Sequence, residues 1–247
     1  MEILGIDIGG SGIKAALVDP ATGELTSERL RTETPQPGAP GPMIEALGKL
    51  VDQFGWDGPI GCGFPGVVRN GTIFTAANLD PSWIGTDLRA ELSTETACPV
   101  TALNDADAAG LAEVRFGAGR GRRGVILMLT IGTGIGSSLF VDGRLVPNTE
   151  LGHVEIDGKT IEARASDRTR ESKELSWKKW AERLDEAIAR LGLYVGPDLV
   201  ILGGGVSKKH DKFIGFLENH PEIVPAVLRN QAGIVGAAMA AQEYSQG

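Results

Sequence analysis

Two short apolar runs stand at the start of the chain. Large apolar residues alternate with Gly or Asp over residues 3–8, and residues 13–18 form a second run. Gly9-Gly10-Ser11-Gly12 between them has room only for a tight turn, so the pattern predicts a β-hairpin. Glycines at the tip would let an anion approach the backbone N–H groups. Asp7 before the turn and Lys14 after it add a carboxylate and a cation, which suit a phosphate bound with a metal ion.

The same segment also matches a different binding motif. Residues 10–15 fit the G-x-G-x-x-A form of the dinucleotide-binding fingerprint, which requires a helix directly after the turn. Here residues 13–18 end in a second turn at 19–23, which leaves too few residues for that helix. The pattern therefore disfavours an oxidoreductase, while an ordinary glycine-rich hairpin without a ligand stays open.

The opening pattern recurs in the second half of the chain. Residues 125–130 form an apolar run, Gly132-Thr133-Gly134-Ile135-Gly136 forms a glycine turn, and residues 137–141 return as a strand. Asp142-Gly143 then favours another tight turn. The repeat indicates a weak internal duplication, in which two facing hairpins could hold one phosphorylated ligand.

Elsewhere the pattern alternates helices with strands, as in α/β proteins. The further predicted strands are 24–31, 59–64, 71–75, 99–103 and 199–202. The predicted helices are 42–54, 86–97 with Thr86 as a cap, 106–116, 160–171, a long helix after Ser176, and a small-residue helix over 231–241. In the long helix Trp177, Trp180, Leu184, Ile188 and Leu191 share one stripe, which we assign to the core.

The length and composition of the chain limit its domain organisation, its binding partners and its cellular location. The 247 residues can form one large domain or two packed domains with a proper core. A formal net charge of −8 argues against a general nucleic-acid binder. Cys62 and Cys98 have no metal-ligand spacing, so we expect buried, reduced thiols. The start lacks a signal region and no run reaches about 18 apolar residues, so we expect a cytoplasmic protein that does not enter the membrane.

Five glycine-rich or polar segments follow one another in a fixed order: 7–12, 104–105, 130–136, 150–153 and 202–206. In this order they resemble the sugar kinases of the ROK group (repressors, open reading frames, kinases) over nearly the whole chain. The resemblance implies an α/β fold of the actin-like ATPase (ribonuclease H-like) type, with two lobes around a cleft. The first lobe would be 1–103 joined by a C-terminal helix, 229–247, and the second would be 104–228. A homodimer is also implied.

The resemblance implies a role for each matched position. The phosphate-binding residues would be Asp7, Gly9, Gly10, Ser11, Gly12, Lys14, Thr130, Gly132, Thr133, Gly134, Gly204 and Gly205. Asp7 would also lie near a Mg²⁺ ion that is bound with the phosphate donor. The sugar contacts would be Pro65, Gly66, Asn78, Asn104, Asp105, Glu150 and His153. Asp105 would be the catalytic base.

The residue types agree with this chemistry. A hydroxyl that attacks phosphorus needs a carboxylate within hydrogen-bonding reach to take its proton, and Asp105 stands at a predicted strand end beside the amide of Asn104. Asn, Asp, Glu and His supply the donors and acceptors that bind sugar hydroxyls. Simpler roles stay open: Asn104 and Asp105 could cap a helix, His153 could bond to backbone, and Glu150 could be a solvated acid.

Many members of the group hold a structural zinc with a cysteine cluster that follows the Gly-His motif. The corresponding residues 161–171 contain no cysteine, which leaves His153 as the one ligand. Because a structural zinc needs four such ligands, we predict no structural zinc.

Within the group, the short length and residues 203–213 most resemble the bacterial polyphosphate glucokinases. The reaction would move the terminal phosphoryl group of inorganic polyphosphate to the 6-hydroxyl of glucose. Lys208, Lys209 and Lys212 follow the glycine turn beside which ATP-using members seat the adenosine, and we expect them to bind a long polyanion. A second basic cluster holds Arg120, Arg122 and Arg123, for which solvated surface charge is at least as good an interpretation.

Three other functions stay open. One is an ATP-dependent hexokinase that acts on glucose, mannose or a related hexose. Another is a sugar-responsive repressor, although the first strand begins at about Glu2 and leaves no room for a DNA-binding helix-turn-helix. A sugar-binding module without catalysis would leave both phosphate turns and Lys14 unexplained.

Overall fold

The computed structural model describes residues 1–77, 79–218 and 221–245. The chain divides into two compact units: unit 1 comprises Met1–Ala112 with Gln231–Gly247, and unit 2 comprises Glu113–Asn230. The units divide within the helix Asp105–Phe116, whereas the lobes predicted from the sequence divide just before it. In the described part of the chain, no helix combines the length and the apolar character needed to cross a membrane.

Short strands and helices alternate along both units. The strands are β1 (Ile3–Gly9), β2 (Gly12–Asp19), β3 (Glu24–Leu25), β4 (Leu30–Thr32), β5 (Ile60–Phe64), β6 (Val68–Arg69), β7 (Thr72–Ile73), β8 (Val100–Asn104), β9 (Val125–Ile131), β10 (Ile135–Val141), β11 (Arg144–Val146), β12 (Glu155–Ile156), β13 (Lys159–Thr160), β14 (Leu199–Gly203) and β15 (Glu222–Pro225). The α-helices are α1 (Pro40–Phe54), α2 (Leu88–Thr96), α3 (Asp105–Phe116), α4 (Ile161–Ala165), α5 (Asp167–Ser172), α6 (Trp177–Val195) and α7 (Ala232–Ser245). Short 3₁₀ helices cover Pro81–Trp83, Leu151–His153, Gly205–Lys212, Ile214–Phe216 and Arg229–Gln231.

Unit 1 is built on one mixed sheet in the order β3-β2-β1-β5-β8, with β4 also paired to β2. β1 and β2 are antiparallel over their full lengths, which confirms the first predicted hairpin. β5 lies parallel to β1, and β8 lies parallel to β5. Because parallel strands end at the same edge of a sheet, Asp7, Phe64 and Asn104 lie along one edge.

Helix α7 packs directly on this sheet. A Cβ atom at Gly5 would overlap the carbonyl oxygen of Ile234, and one at Gly61 would overlap that of Ala237. Glycine is therefore required at both positions, because the backbones of helix and sheet approach more closely than any side chain allows. The predicted small-residue helix over 231–241 is confirmed.

Helices α1 and α2 form a core with the strands of unit 1. Met43, Leu47 and Leu50 of α1 are buried there, as the helical pattern predicted. The start of α2 differs from the prediction, because the Asp87 carboxylate caps it by accepting from the Ala90 N–H at 3.0 Å. The predicted cap, Thr86, instead donates its hydroxyl to the carbonyl of Ser82.

Unit 2 repeats the plan of unit 1. Its sheet has the order β11-β10-β9-β14-β15, in which β9, β10 and β11 are antiparallel neighbours and β14 and β15 continue parallel to β9. The second predicted hairpin is therefore confirmed. Each sheet carries an antiparallel hairpin on one side of its central strand and parallel strands on the other.

Helix α6 covers the sheet of unit 2 with the predicted stripe. Trp180, Leu184, Ile188 and Leu191 are buried in the core of this unit, whereas Trp177 is only half-buried. The predicted helix over 160–171 is divided into α4 and α5. The break falls at Ser166, whose hydroxyl accepts from the Thr169 N–H and starts the second helix.

Candidate active site

The first predicted phosphate loop is the tip of the β1–β2 hairpin in unit 1. Gly9 pairs with Gly12, which leaves Gly10 and Ser11 as the turn. Asp7 pairs with Lys14 across the two strands, and the lysine Nζ lies 3.0 Å from Oδ2 of the carboxylate. The sequence prediction of a cation beside a carboxylate at this loop is thus seen in the geometry.

Three side chains from the segment 31–36 hold the loop by its carbonyl oxygens. Thr34 Oγ1 donates to Gly9 at 2.5 Å, Gln36 Nε2 to Gly10 at 3.2 Å, and the Arg31 guanidinium to Ser11 at 3.3 Å. These supports were not predicted, because Arg31 ends a predicted strand and residues 32–41 have the composition of an ordinary Pro- and Gly-rich loop. They fix the tip so that a ligand meets an ordered backbone.

Asn104 ends β8 and caps helix α3. Its Oδ1 accepts from the Asp107 N–H at 2.9 Å, and its Nδ2 donates to the carbonyl of Gly66 at 3.0 Å. The capping role considered for Asn104 is therefore confirmed, and the same amide fixes the predicted Pro65-Gly66 wall, whose two residues are buried. Contact of Asn104 with sugar stays a prediction. Asn78, the neighbouring predicted sugar contact, lies outside the described residues.

Asp105 is the first residue of α3 and is half-buried. Its Oδ1 accepts from the N–H of Ala106 at 2.7 Å, which fixes the plane of the carboxylate. The side chain stands at the same sheet edge as Asp7, one residue beyond the end of β8. A carboxylate held at a strand end is suited to accept a proton from a bound hydroxyl.

The second predicted phosphate loop joins β9 to β10 in unit 2. The Gly132 N–H donates to the carbonyl of Gly134 at 2.9 Å, and Thr133 stands exposed at the tip. Thr130, at the base, pairs with Gly203 of β14. The carbonyl of Gly132 accepts from the first two N–H groups of α5, at 3.0 and 3.3 Å, so this helix supports the loop from behind.

Glu150 precedes the 3₁₀ helix that follows β11, and His153 is the last residue of that helix. Their side chains approach each other, with Nε2 of the histidine 3.5 Å from Oε2 of the glutamate. Burial raises the pKa of Glu150 above its usual value, while His153 opposes the shift and Glu162 adds to it. Glu150 is thus not an ordinary solvated acid, since it is about two-thirds buried (33% exposed).

The glycine turn after β14 lies against the end of β9. Gly204 has a φ of 75°, and a Cβ atom there would overlap the backbone of Ile131, so glycine is required on both grounds. Gly205 then begins the 3₁₀ helix Gly205–Lys212, on which the predicted Lys208, Lys209 and Lys212 are all exposed. The turn and the second phosphate loop are therefore adjacent within unit 2.

Two of these lysines converge with an arginine on one aromatic ring. The Nζ atoms of Lys209 and Lys212 lie 5.7 and 5.9 Å from the ring centroid of Trp177, and the Arg170 guanidinium lies 4.2 Å from it. The arginine also contacts Asp167 and Glu171. Arg170 is mostly buried and paired with these two carboxylates, so the positive charge that this surface exposes comes from Lys209 and Lys212. The sequence assigned Trp177 to the core and gave no signal for Arg170.

The second basic cluster is partly neutralised. Both terminal nitrogens of Arg122 contact the carboxylate of Glu222. This hydrogen bonding lowers the pKa of the Glu222 carboxyl. Of the two interpretations of this cluster, structural charge pairing is therefore the better one for Arg122.

A metal would find few protein ligands here. Within residues 1–77, 79–218 and 221–245, no three His, Cys, Asp or Glu side chains converge as a metal-binding group. Mg²⁺ does not need such a group, because it is commonly bound by one carboxylate together with substrate phosphates and water. Asp7, beside the first predicted phosphate loop, fits that requirement.

Comparison with known proteins gives three informative likenesses. The model of the ROK family matches residues 3–164. A polyphosphate glucokinase of Mycobacterium tuberculosis (strain CDC 1551 / Oshkosh) is 49% identical over 237 residues, which cover 96% of this chain and 89% of that protein. The inorganic polyphosphate/ATP-glucomannokinase of Arthrobacter sp. strain KM superposes with a TM-score of 0.95 at 46% identity, over 98% of this chain and 99% of that one.

A more distant solved structure shares the fold alone. A ROK family glucokinase from Streptomyces griseus, solved with glucose and AMPPNP, has a TM-score of 0.84 at 24% identity, over 98% of this chain and 100% of that one.

Proposed function

The chain belongs to the ROK family and has the predicted actin-like α/β fold, and we propose that it is a polyphosphate glucokinase. It would transfer the terminal phosphoryl group of inorganic polyphosphate to the 6-hydroxyl of glucose and give glucose 6-phosphate. The observation that carries this proposal is the near full-length likeness to a polyphosphate glucokinase, at 49% identity. The proposal is supported by the carboxylate of Asp105 at a strand end, by the two glycine turns and by the exposed lysines of the 3₁₀ helix Gly205–Lys212.

Asp105 is the proposed general base. Its carboxylate takes the proton of the 6-hydroxyl while that oxygen attacks the terminal phosphorus in line. The new bond joins O6 to phosphorus, the bond from phosphorus to the bridging oxygen breaks, and polyphosphate leaves one unit shorter. The hydrogen bond from the Ala106 N–H supports this role because it holds the carboxylate plane in place.

The two glycine turns and Lys14 are the proposed phosphate-binding groups. Backbone N–H groups at such turns bind phosphate oxygens, and a lysine adds a point charge. Asp7 would lie near the Mg²⁺ ion that is bound with the donor and would contact it indirectly, through the water molecules that this ion usually keeps. When bound, the ion would neutralise charge that develops on the transferred group.

The proposed sugar contacts keep their predicted roles. Glu150 and His153 stand together, and their oxygen and nitrogen atoms can accept and donate to neighbouring hydroxyls. The amide of Asn104 already caps α3 and holds Gly66, so its main contribution would be to place Asp105 and the Pro65-Gly66 wall. Asn78 is a further proposed contact.

The surface around Trp177 supports polyphosphate as the preferred donor. A long polyanion gains from several cations beyond the reacting phosphates, and the exposed Lys209 and Lys212 are gathered there. ATP is a second candidate donor. It is favoured by the likeness to a protein named as a polyphosphate/ATP-glucomannokinase, whose name also suggests mannose as a second acceptor.

We also propose that the protein acts in the cytoplasm as a homodimer. Both cysteines are buried and free, which agrees with a reducing compartment. Light scattering of the purified protein tests the dimer, which a monomeric mass would exclude.

The proposal is tested by assaying glucose 6-phosphate formation with Mg²⁺ and either long-chain polyphosphate or ATP. We expect product with polyphosphate and a lower rate with ATP. Absence of product with both donors, for glucose and for mannose, would overturn the kinase assignment. A higher rate with ATP would overturn only the donor preference.

A further inference from the structure

A hydroxyl group from strand β10 caps the short helix that follows Glu150. Ser137 is 1% exposed, and its Oγ accepts from the N–H of Leu151, the first residue of the 3₁₀ helix, at 2.9 Å. The same oxygen donates to the carbonyl of Thr149 at 2.6 Å. One hydroxyl therefore binds the backbone on both sides of Glu150, because a serine can donate and accept at once.

This arrangement leaves the carboxylate of Glu150 out of the capping. Glu150 stands at the N-cap position, where a side chain usually accepts from an N–H at the start of the helix. Among the described residues of this turn it forms no such bond, and its Oε2 lies 3.5 Å from Nε2 of His153 instead. Since Ser137 supplies the cap, the carboxylate can serve a ligand.

Further contacts fix the same segment to β10. Thr149 Oγ1 donates to the carbonyl of Ser137 at 3.1 Å, so two hydrogen bonds join these residues in opposite directions. Two positions earlier on the same face of the strand, the carbonyl oxygen of Ile135 would overlap a Cβ atom at Gly152. Ile135 directly follows the glycine turn 132–134, so the segment is held beside the second predicted phosphate loop.

We propose that Ser137 is a positioning residue for the acceptor sugar, whose hydroxyl fixes the backbone on both sides of Glu150 and thereby places Glu150 and His153. This inference rests on the proposed function, because it takes these two side chains as sugar contacts. The role differs from a purely structural one, since loss of the hydroxyl should weaken the use of glucose while the rest of the β10 strand keeps its pairing.

The adjacent residue offers a matched control. Ser138 is fully buried on the opposite face of β10, and within the described chain its hydroxyl has no hydrogen-bond partner. We expect Ser137→Ala to raise the glucose KM about tenfold, because a carbonyl and an N–H both lose their partner, and to change the polyphosphate KM much less. Ser138→Ala removes the same atom from the same strand and should leave both KM values unchanged.

Thr149 provides an independent pair of variants. Thr149→Val keeps the shape of the side chain but removes its hydrogen bond to Ser137, so the glucose KM should rise by a smaller factor than in Ser137→Ala. Thr149→Ser keeps the hydroxyl and should restore a KM near that of the wild type. If Ser137→Ala fails to fold, this pair decides the inference by the same measurements.

The pH dependence of the glucose KM supplies a readout that a general loss of stability would not change. Burial raises the pKa of Glu150, while His153 lowers it and Glu162 raises it further. Loosening of the segment in Ser137→Ala should expose the carboxylate, so the glucose KM should begin to rise at a lower pH than in the wild type. Ser138→Ala should keep the wild-type profile.

The inference is overturned if Ser137→Ala lowers Tm but keeps the glucose KM and the pH profile of the wild type, or if Ser138→Ala has the same effects as Ser137→Ala. Hydrogen exchange at the Leu151 amide, which should be faster in Ser137→Ala alone, tests the contact without any assay of activity. If the wild type forms no glucose 6-phosphate, the proposed function fails and this inference fails with it, even where the exchange result shows the contact.

Discussion

Lys14 and Asp7 face each other across the first hairpin, with the lysine Nζ 3.0 Å from Oδ2 of the carboxylate. Without a ligand the lysine neutralises Asp7. A bound phosphate would compete for that lysine and leave the carboxylate to the metal ion that accompanies the donor. Under the proposed function, binding of the donor and binding of Mg²⁺ would therefore favour each other.

We expect Lys14→Met to raise the KM for polyphosphate roughly tenfold or more, because a charge-assisted contact to phosphate is lost. The Mg²⁺ concentration needed for half-maximal rate should also change. Steady-state kinetics at varied donor and Mg²⁺ measure both. Lys49→Met is the control, since Lys49 forms an exposed pair with Glu45 on α1 and should leave the kinetics unchanged.

Asp105→Asn should lower kcat by roughly 10²-fold or more, because the amide cannot take the proton of the attacking hydroxyl. The variant keeps an oxygen to accept from the Ala106 N–H, so the start of α3 should be preserved and the glucose KM should change less. Circular dichroism checks the fold. A kcat near that of the wild type would show that Asp105 is not the base.

Replacing Lys208, Lys209 and Lys212 together with Ala should raise the KM for long-chain polyphosphate and flatten its salt dependence. Fewer cations release fewer counterions when a polyanion binds, a rule that we extend from nucleic acids by analogy. The glucose KM should move little. Equal use of long chains by the variant and the wild type would exclude these lysines from the donor site.

The glucose KM should rise as the pH is lowered. The rise should begin at a higher pH than it would if Glu150 had the pKa of an ordinary glutamate. Burial raises the pKa of Glu150, so as the pH falls the carboxylate takes up its proton early and loses an acceptor. Its contribution to the free energy of unfolding has the opposite sense: it is present at low pH and is lost as the pH rises through the raised pKa. Glu162→Gln removes a nearby negative charge, so a pH profile of this variant should be displaced toward lower pH.

Metal analysis of the purified protein should find no stoichiometric zinc. The prediction follows from the absence of cysteine in residues 161–171, which leaves His153 without thiolate partners. One tightly held zinc per chain that resists chelators would contradict it, and would mean that its ligands come from elsewhere.

Both hairpins could be predicted from the sequence because an apolar run, a glycine turn and a second apolar run determine a local structure. Helix α7 could also be predicted, because a continuous run of small residues that favour helix covers this segment. The hairpins and this helix are determined by residues that are close together in the sequence. The spacing of apolar residues and the identity of the turn residues are therefore enough to predict them.

Contacts between distant segments could not be predicted in the same way. Trp177 falls on the apolar stripe of α6, so its half-exposed ring among Arg170, Lys209 and Lys212 becomes visible only once three segments have packed together. Ser137 is one polar residue of a strand, and its partners are backbone groups, which have no signature in the sequence. The break at Ser166 was missed because the charged residues around it favour one continuous helix.

The packing of α7 on β1 and β5 also means that unit 1 cannot finish folding until the last part of the chain has been synthesised. The ribosome makes the strands of unit 1 first, then the whole of unit 2, and only afterwards the helix that covers the glycines of those strands. Unit 2 can therefore fold while the sheet of the nascent unit 1 still has a bare face. A message truncated before Ala232 would leave that face permanently uncovered, and its product would be a natural target for chaperones and proteases.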